Sequence, residues 1–216
     1  MQSQVVRNIA EPLLKYINMR IGIDCDGVLR NFDGSVIRRI RETHPNLIDK
    51  VIAVRNWDIK TWLPFWSAEE STKYIFDDNY QDIFENAPIC RDAKEQWTFL
   101  LDWAIAQGHE LVLVSAQRPK CISPTLVWLG KHGFSFKELH FTKNKEVLDI
   151  DVLVDDYEDN LIKFSNAGKI SICFSHKYNT DIQDLFPTIK SLKELPSFID
   201  DLEEERSVIE SVDKLA

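Results

Sequence analysis

The sequence predicts an α/β fold: a Rossmann-like parallel sheet with helices on both faces and a small helical module inserted after the first strand. Three observations carry this expectation. Apolar runs of strand length recur at Arg20 to Ile23, Glu110 to Val114 and Val152 to Val154. Segments of helical periodicity stand between the later runs. The stretch from Trp57 to Phe84 breaks that alternation and holds eight aromatic side chains. Strands separated by helices imply parallel order with right-handed crossovers. Ligands of such sheets bind at the carboxyl ends of the strands.

In chain order, residues 1–19 read as an N-terminal extension with a weak apolar pattern around Leu13, Leu14 and Ile17. Met19 stands directly before the first strand as an alternative start, and the first 18 residues are not expected to serve the chemistry. Asn31-Phe32-Asp33-Gly34 has turn composition, and Ser35 to Thr43 reads as a helix. The core is expected over 20–32 and 88–186, with the helical module over 33–87. Ser67-Ala68-Glu69-Glu70 has the pattern of a capping box opening a helix through the aromatic patch. Further helices are expected at Arg91 to Gln107, closed by Gly108, and at Pro124 to His132, closed by Gly133. Another runs from Asp159 to Ala167. Glu138 to Phe141 and Lys169 to Phe174 are strand candidates. Residues 187–216 read as a helical tail with an apolar stripe at Leu202, Ile209, Val212 and Leu215.

At 216 residues the chain can bury one good core. Its formal net charge of −9 excludes a general binder of nucleic-acid backbones, which needs a basic face. One small anionic ligand stays compatible, because a metal ion and a lysine reverse the local field. The four cysteines form no CxxC pair and read as reduced thiols. No apolar run approaches a membrane span, and the N-terminus lacks the order of a signal peptide. The expectation is a soluble, cytoplasmic protein that does not associate with membranes. A homodimer is left open.

Chemistry concentrates at the strand ends. The first run ends in Asp24-Cys25-Asp26-Gly27, the second in Ser115 and the third in Asp155-Asp156, with Thr142-Lys143-Asn144-Lys145 before the last. Carboxylates gathered at one sheet edge make a divalent-cation site. An EF-hand loop is excluded, because Val28 holds its fifth position and a strand precedes it. Phosphoryl transfer through a carboxylate needs this set of groups. One carboxylate attacks phosphorus, and a second, two residues on, exchanges a proton with the leaving oxygen. A hydroxyl and an ammonium hold the phosphoryl oxygens while Mg²⁺ offsets the repulsion between anions.

In this arrangement the chain resembles the haloacid dehalogenase-like (HAD) phosphatase superfamily, and within it the 5'(3')-deoxyribonucleotidase group. The resemblance runs from about Arg20 to Tyr178. Asp24-Cys25-Asp26-Gly27-Val28-Leu29 matches the first motif, Leu111 to Ser115 the second, Lys145 the third and Asp155-Asp156 the fourth. It implies that Asp24 is the nucleophile that forms an aspartyl-phosphate. Asp26 would be the proton donor and later activate water, its backbone carbonyl helping to bind Mg²⁺. Ser115 and Lys145 would hold the phosphoryl group, and Asp155 or Asp156 would complete a metal site with Asp24 and Asp26. Lys143 competes for the lysine role, and spacing to the aspartate pair favours Lys145. The inserted module falls where this group carries a helical cap. Phe32 and Trp57 would then face the substrate, with Ser115, Ala116 and Lys145 at the phosphate end, while most of the other aromatics build the module's own core.

Ala116 departs from the second hydroxyl common in the group. Gln117-Arg118-Pro119 matches no assignable pattern, and Arg118 is left between the phosphate and the surface. Cys25 is expected to be a buried structural thiol, and the five histidines form no ligand spacing. The expected activity is Mg²⁺-dependent hydrolysis of nucleoside monophosphates. Two alternatives stand beside it: a phosphatase for another small phosphomonoester or a nucleic-acid terminal phosphate, and a non-catalytic binding protein of the same fold. Retention of Asp24, Asp26, Lys145 and Asp155-Asp156 together counts against the last.

Overall fold

Ile21, Gly22 and Ile23 have no polar side chain to present to water, and in the computed structural model β1 (Arg20–Ile23) buries all three. The structure describes residues 18–54 and 58–202. β1 lies inside a six-stranded sheet with β2 (Glu110–Ser115), β3 (Glu138–Phe141), β4 (Val152–Asp155), β5 (Ile170–Phe174) and β6 (Thr188–Ile189). The order is β3-β2-β1-β4-β5-β6, and every pair is parallel. Ile23 pairs with Leu113 on one side and Val154 on the other. The sheet reverses its winding at β1, which makes the carboxyl edge of β1, β2 and β4 the crevice where such folds bind ligands.

Strand periodicity assigns the two faces. Leu111 and Leu113 of β2 join a cluster with Trp97 and Leu100 of one helix and Trp128 of another. Val112 and Val114 point the other way, to Leu153 and Phe164. Helices therefore cover both faces, as the sequence predicts: Ala93–Gln107 and Pro119–His132 on one, Glu158–Asn166 on the other.

Between β1 and the helix at Ala93 the chain forms α1 (Phe32–Thr43), α2 (Ile59–Trp62), α3 (Ala68–Lys73) and α4 (Tyr80–Glu85). Helices α1, α2 and α4, with Ile75 between α3 and α4, share a separate apolar cluster that includes Phe32, Val36, Ile40, Trp62 and Phe84. The following helices are α5 (Ala93–Gln107), α6 (Pro119–His132) and α7 (Glu158–Asn166).

Several boundaries differ from expectation, each for a local reason. Asn31 to Gly34 is not a free turn. Asn31 caps α1, accepting a hydrogen bond from the Gly34 backbone at 2.9 Å, so the helix begins three residues early. α6 begins at Pro119 rather than Pro124, because a proline at the first helical position sacrifices no intrahelical bond. Pro124, one turn later, is buried inside the helix. The Ser67–Glu70 capping box forms, but its helix does not run unbroken through the aromatic patch. A widened π turn at Tyr74–Asp78 follows it, closed by Asn79, whose backbone and side chain both donate to the Tyr74 carbonyl at 3.1 Å. β6, two residues long, and the 3₁₀ turn at Pro45–Lys50 carried no periodic signal. Among the described residues no helix is long and apolar enough to cross a membrane. Trp57, residues 1–17 of the N-terminal extension and most of the tail's apolar stripe lie outside the described residues.

Candidate active site

The carboxyl edge of the sheet converts four strand ends into one site. Asp24 directly follows β1, and its backbone donates to the Val154 carbonyl of β4 at 3.0 Å, which ties the first motif to the fourth. Asp155 ends β4, with Asp156 next. A 3₁₀ turn at Lys145–Val147 brings in Lys145, which is almost wholly buried. Its ammonium donates to Asp24 Oδ1 at 2.5 Å and to Asp155 Oδ2 at 2.6 Å. Asp155 is held further by Asn160 Nδ2 at 2.9 Å and the Tyr157 backbone N–H at 2.9 Å. Asp156 accepts a short bond from the Tyr178 hydroxyl, and the ring of Tyr178 stacks on His176 at 4.6 Å.

Asp24, Asp155 and Asp156 are all buried and offer ligand oxygens within 4.8 Å of one another. Three carboxylates against one ammonium leave the site short of positive charge. Burial pushes the Asp24 carboxyl up to about 7, with Lys145 opposing and Asp155 and Asp26 adding to the rise. Burial and then the charges of Asp155 and Asp24 also hold Asp156 well above the carboxylate range. For Lys145, burial alone would favour the neutral amine, but Asp155 and Asp24 outweigh it and raise its pKa. A buried all-oxygen donor set with unmet negative charge suits a hard divalent cation.

Asp26 takes a different position from the other three. Its carboxylate pairs with Arg30, Nε to Oδ1 at 2.7 Å and Nη2 to Oδ2 at 3.0 Å. It also accepts from Gln117 Nε2 at 2.7 Å, and that same nitrogen donates to Ser115 Oγ at 2.9 Å.

A cavity of about 400 Å³ opens over these groups. Asp24, Asp26, Phe32, Ser115, Ala116, Lys145, Asp155 and Asp156 all line it, so the structure brings together every described site residue expected from sequence. Lys143 lines it as well, and Arg118 lies over the Phe76 ring at 4.3 Å. Phe76, Phe84 and Ile59, from the helical segment, complete an apolar wall. Cys25 is fully buried, and burial raises its thiol pKa.

Sequence reading gave no role to Arg30, Gln117, Asn160 or Tyr178. Arg30 lies four residues past Asp26, a spacing that pairs side chains in helices. Here a tight loop achieves the contact, and periodicity gives no sign of it. Asn160 lies five residues past Asp155 on the first turn of α7, a signal that the position of that helix start supplies.

Comparison with known proteins places the fold and the family. The family described as "5' nucleotidase, deoxy (Pyrimidine), cytosolic type C protein" matches residues 18–200. A protein of Chlorobaculum tepidum described as "Putative 5'(3')-deoxyribonucleotidase" is 22% identical over 171 residues, covering 76% of this chain and 83% of its own. Solved structures share the fold. A phosphonoacetaldehyde hydrolase-like protein from Oleispira antarctica superposes with a TM-score of 0.57 at 14% identity, over 87% of this chain and 93% of its own. L-2-haloacid dehalogenase from Xanthobacter autotrophicus also gives 0.57, at 12% identity over 85% and 98%. A HAD-hydrolase from Bacillus subtilis, solved bound to magnesium, gives 0.53 at 14% identity over 85% and 99%. With the first, second, third and fourth motifs converging on one sheet edge, and the family match spanning most of the chain, this protein belongs to that 5'-nucleotidase family of HAD-fold phosphoric monoester hydrolases.

Proposed function

We propose that the protein is a Mg²⁺-dependent phosphatase that hydrolyses nucleoside monophosphates through an aspartyl-phosphate on Asp24. The observation that carries this reading is the Lys145 ammonium bonded to both Asp24 and Asp155, buried at the floor of an aromatic-walled cavity. Asp24 forms a bond to phosphorus as the bond from phosphorus to the nucleoside oxygen breaks. Asp26 gives that oxygen its proton, then accepts one from the water that cleaves the aspartyl-phosphate. Lys145 and the Ser115 hydroxyl hold the phosphoryl oxygens as charge builds on them. Bound at Asp24, Asp155 and Asp156, Mg²⁺ would neutralise the carboxylates that otherwise repel an anionic substrate.

The helical segment serves as a cap in this reading. Phe76 and Ile59, backed by the buried rings of Phe32 and Phe84, offer a nucleobase an apolar surface that a sugar phosphate cannot use. The cytosolic description of the matched family supports a cytoplasmic location.

Phosphate release from a panel of 5'- and 3'-nucleotides and sugar phosphates, with Mg²⁺ and with chelator, tests the proposal. Turnover is expected only with Mg²⁺ and with nucleotides preferred. Asp24→Asn is expected to abolish it. Turnover that survives Asp24→Asn overturns the nucleophile, and no turnover by folded protein on any ester overturns the activity.

A further inference from the structure

Arg30 has no exposure to solvent, and each of its three side-chain nitrogens donates to a named partner. Two reach Asp26 in a fork, as given above. Nη1 donates to Thr125 Oγ1 at 2.9 Å and to the Phe84 carbonyl at 3.3 Å. The guanidinium lies 4.8 Å from the Phe84 ring centre and 5.4 Å from that of Trp128. Burying a guanidinium costs several kcal/mol before any partner offsets it, and an apolar side chain of similar volume would fill the gap between Phe84 and Trp128 with less loss. Packing therefore does not account for an arginine here. What arginine alone supplies is a rigid planar fork that fixes the plane of a carboxylate.

The carboxylate so fixed is the one outside the Asp24–Asp155–Asp156 cluster. Its Oδ2 is joined to Ser115 through the single amide nitrogen of Gln117. Arg30 is itself anchored by Thr125 on α6 and by the backbone at the end of α4, so the aim of Asp26 is set jointly by the sheet core and the helical segment.

We propose that Arg30, assisted by Gln117, is a positioning residue for Asp26, fixing its carboxylate for proton delivery to the leaving oxygen and linking that aim to the phosphoryl-holding Ser115. The inference rests on the role given to Asp26 above. It has a consequence that general support of the fold lacks. A nucleoside alkoxide is a poor leaving group and needs the proton, whereas p-nitrophenolate departs with little help. Loss of aim should therefore slow nucleotide hydrolysis more than hydrolysis of p-nitrophenyl phosphate.

The experiment measures kcat and KM for a nucleoside monophosphate and for p-nitrophenyl phosphate, with Mg²⁺. It compares the full chain with Asp26→Asn, Arg30→Met, Arg30→Lys and Gln117→Met. The ratio of kcat/KM for the nucleotide to kcat/KM for p-nitrophenyl phosphate, which reads the step that forms the aspartyl-phosphate and not its shared hydrolysis, is expected to fall on the order of 10²-fold in Asp26→Asn and at least about tenfold in Arg30→Met. Arg30→Lys should restore part of it, and Gln117→Met, at a half-buried position outside the core, should lower it in the same direction. If circular dichroism shows Arg30→Met unfolded, the Lys and Gln117 variants decide by the same ratio. A ratio that falls in Asp26→Asn but stays at the wild-type value in the Arg30 and Gln117 variants overturns the positioning role. A ratio unchanged in Asp26→Asn is a different result: it overturns the acid role of Asp26 and the present proposal with it.

Discussion

Asp24 sits under a single ammonium, 2.5 Å from Lys145 Nζ, and burial still pushes its carboxyl from the ordinary 3.8 up to about 7. Between those two values the folded chain keeps a proton that the unfolded chain has released. Stability from this group is therefore fully present below about pH 3.8 and is lost as pH rises through about 7. In chelator, the urea midpoint of the wild type is expected to fall more steeply from pH 5.5 to 7.5 than that of Asp24→Asn, which has no proton to lose. Equal slopes would remove Asp24 as the source. The residues of this charge cluster were legible before the fold was known, because four motifs in a fixed order identify them. Arg30 was not. A charged residue four positions past an aspartate reads as surface, and only its complete burial beside Thr125 and Trp128 reveals its task.

The loop from Asp24 to Arg30 is the element that aims the site. Leu29 and Arg30 both donate to the Cys25 carbonyl, and Gly27 donates to the Arg30 carbonyl at 2.9 Å. Gly27 itself has φ +81°, and its carbonyl accepts from His176 Nε2 at 2.6 Å. A Cβ at this position would lie 1.9 Å from Asp156 Oδ2. Gly27→Ala is thus expected to cost at least about 1 kcal/mol through its positive φ alone. It should also displace Asp156, so that phosphate release falls by more than the stability loss explains. Thermal denaturation and single-substrate kinetics on the same preparation separate the two effects, and a variant of wild-type turnover would contradict this account of the loop. The strands and long helices of the core were readable from apolar runs and from Gly108 and Gly133, both at positive φ at helix ends. The elements that escaped, β6, the 3₁₀ turn at Pro45–Lys50 and the π turn at Tyr74–Asp78, are two, six and five residues long and draw their definition from neighbours rather than from local pattern.

At the scale of the molecule, the sheet order joins groups that lie far apart in the chain: Lys145 meets Asp24 across 121 positions. Such a cluster stores unmet negative charge that a cation relieves, so Mg²⁺ is expected to stabilise the whole fold. A concentration a hundredfold above its Kd should add about 2.7 kcal/mol to unfolding. Because protons compete for Asp24, the melting-temperature gain should be larger at pH 8 than at pH 6. Loss of the gain in Asp155→Asn would tie it to this site, and a gain that persists there would place the cation elsewhere. The sequence by itself determined the fold class, the strand ends and the acidic, serine and lysine groups at them, because short-range periodicity and motif order are written in neighbouring residues. Only the tertiary structure decided how those carboxylates divide. Asp24, Asp155 and Asp156 gather in one cluster, the first two on Lys145, while Asp26 turns to Arg30 and Gln117. That division depends on burial and on contacts between distant segments, and neither is a property of any stretch of chain taken alone.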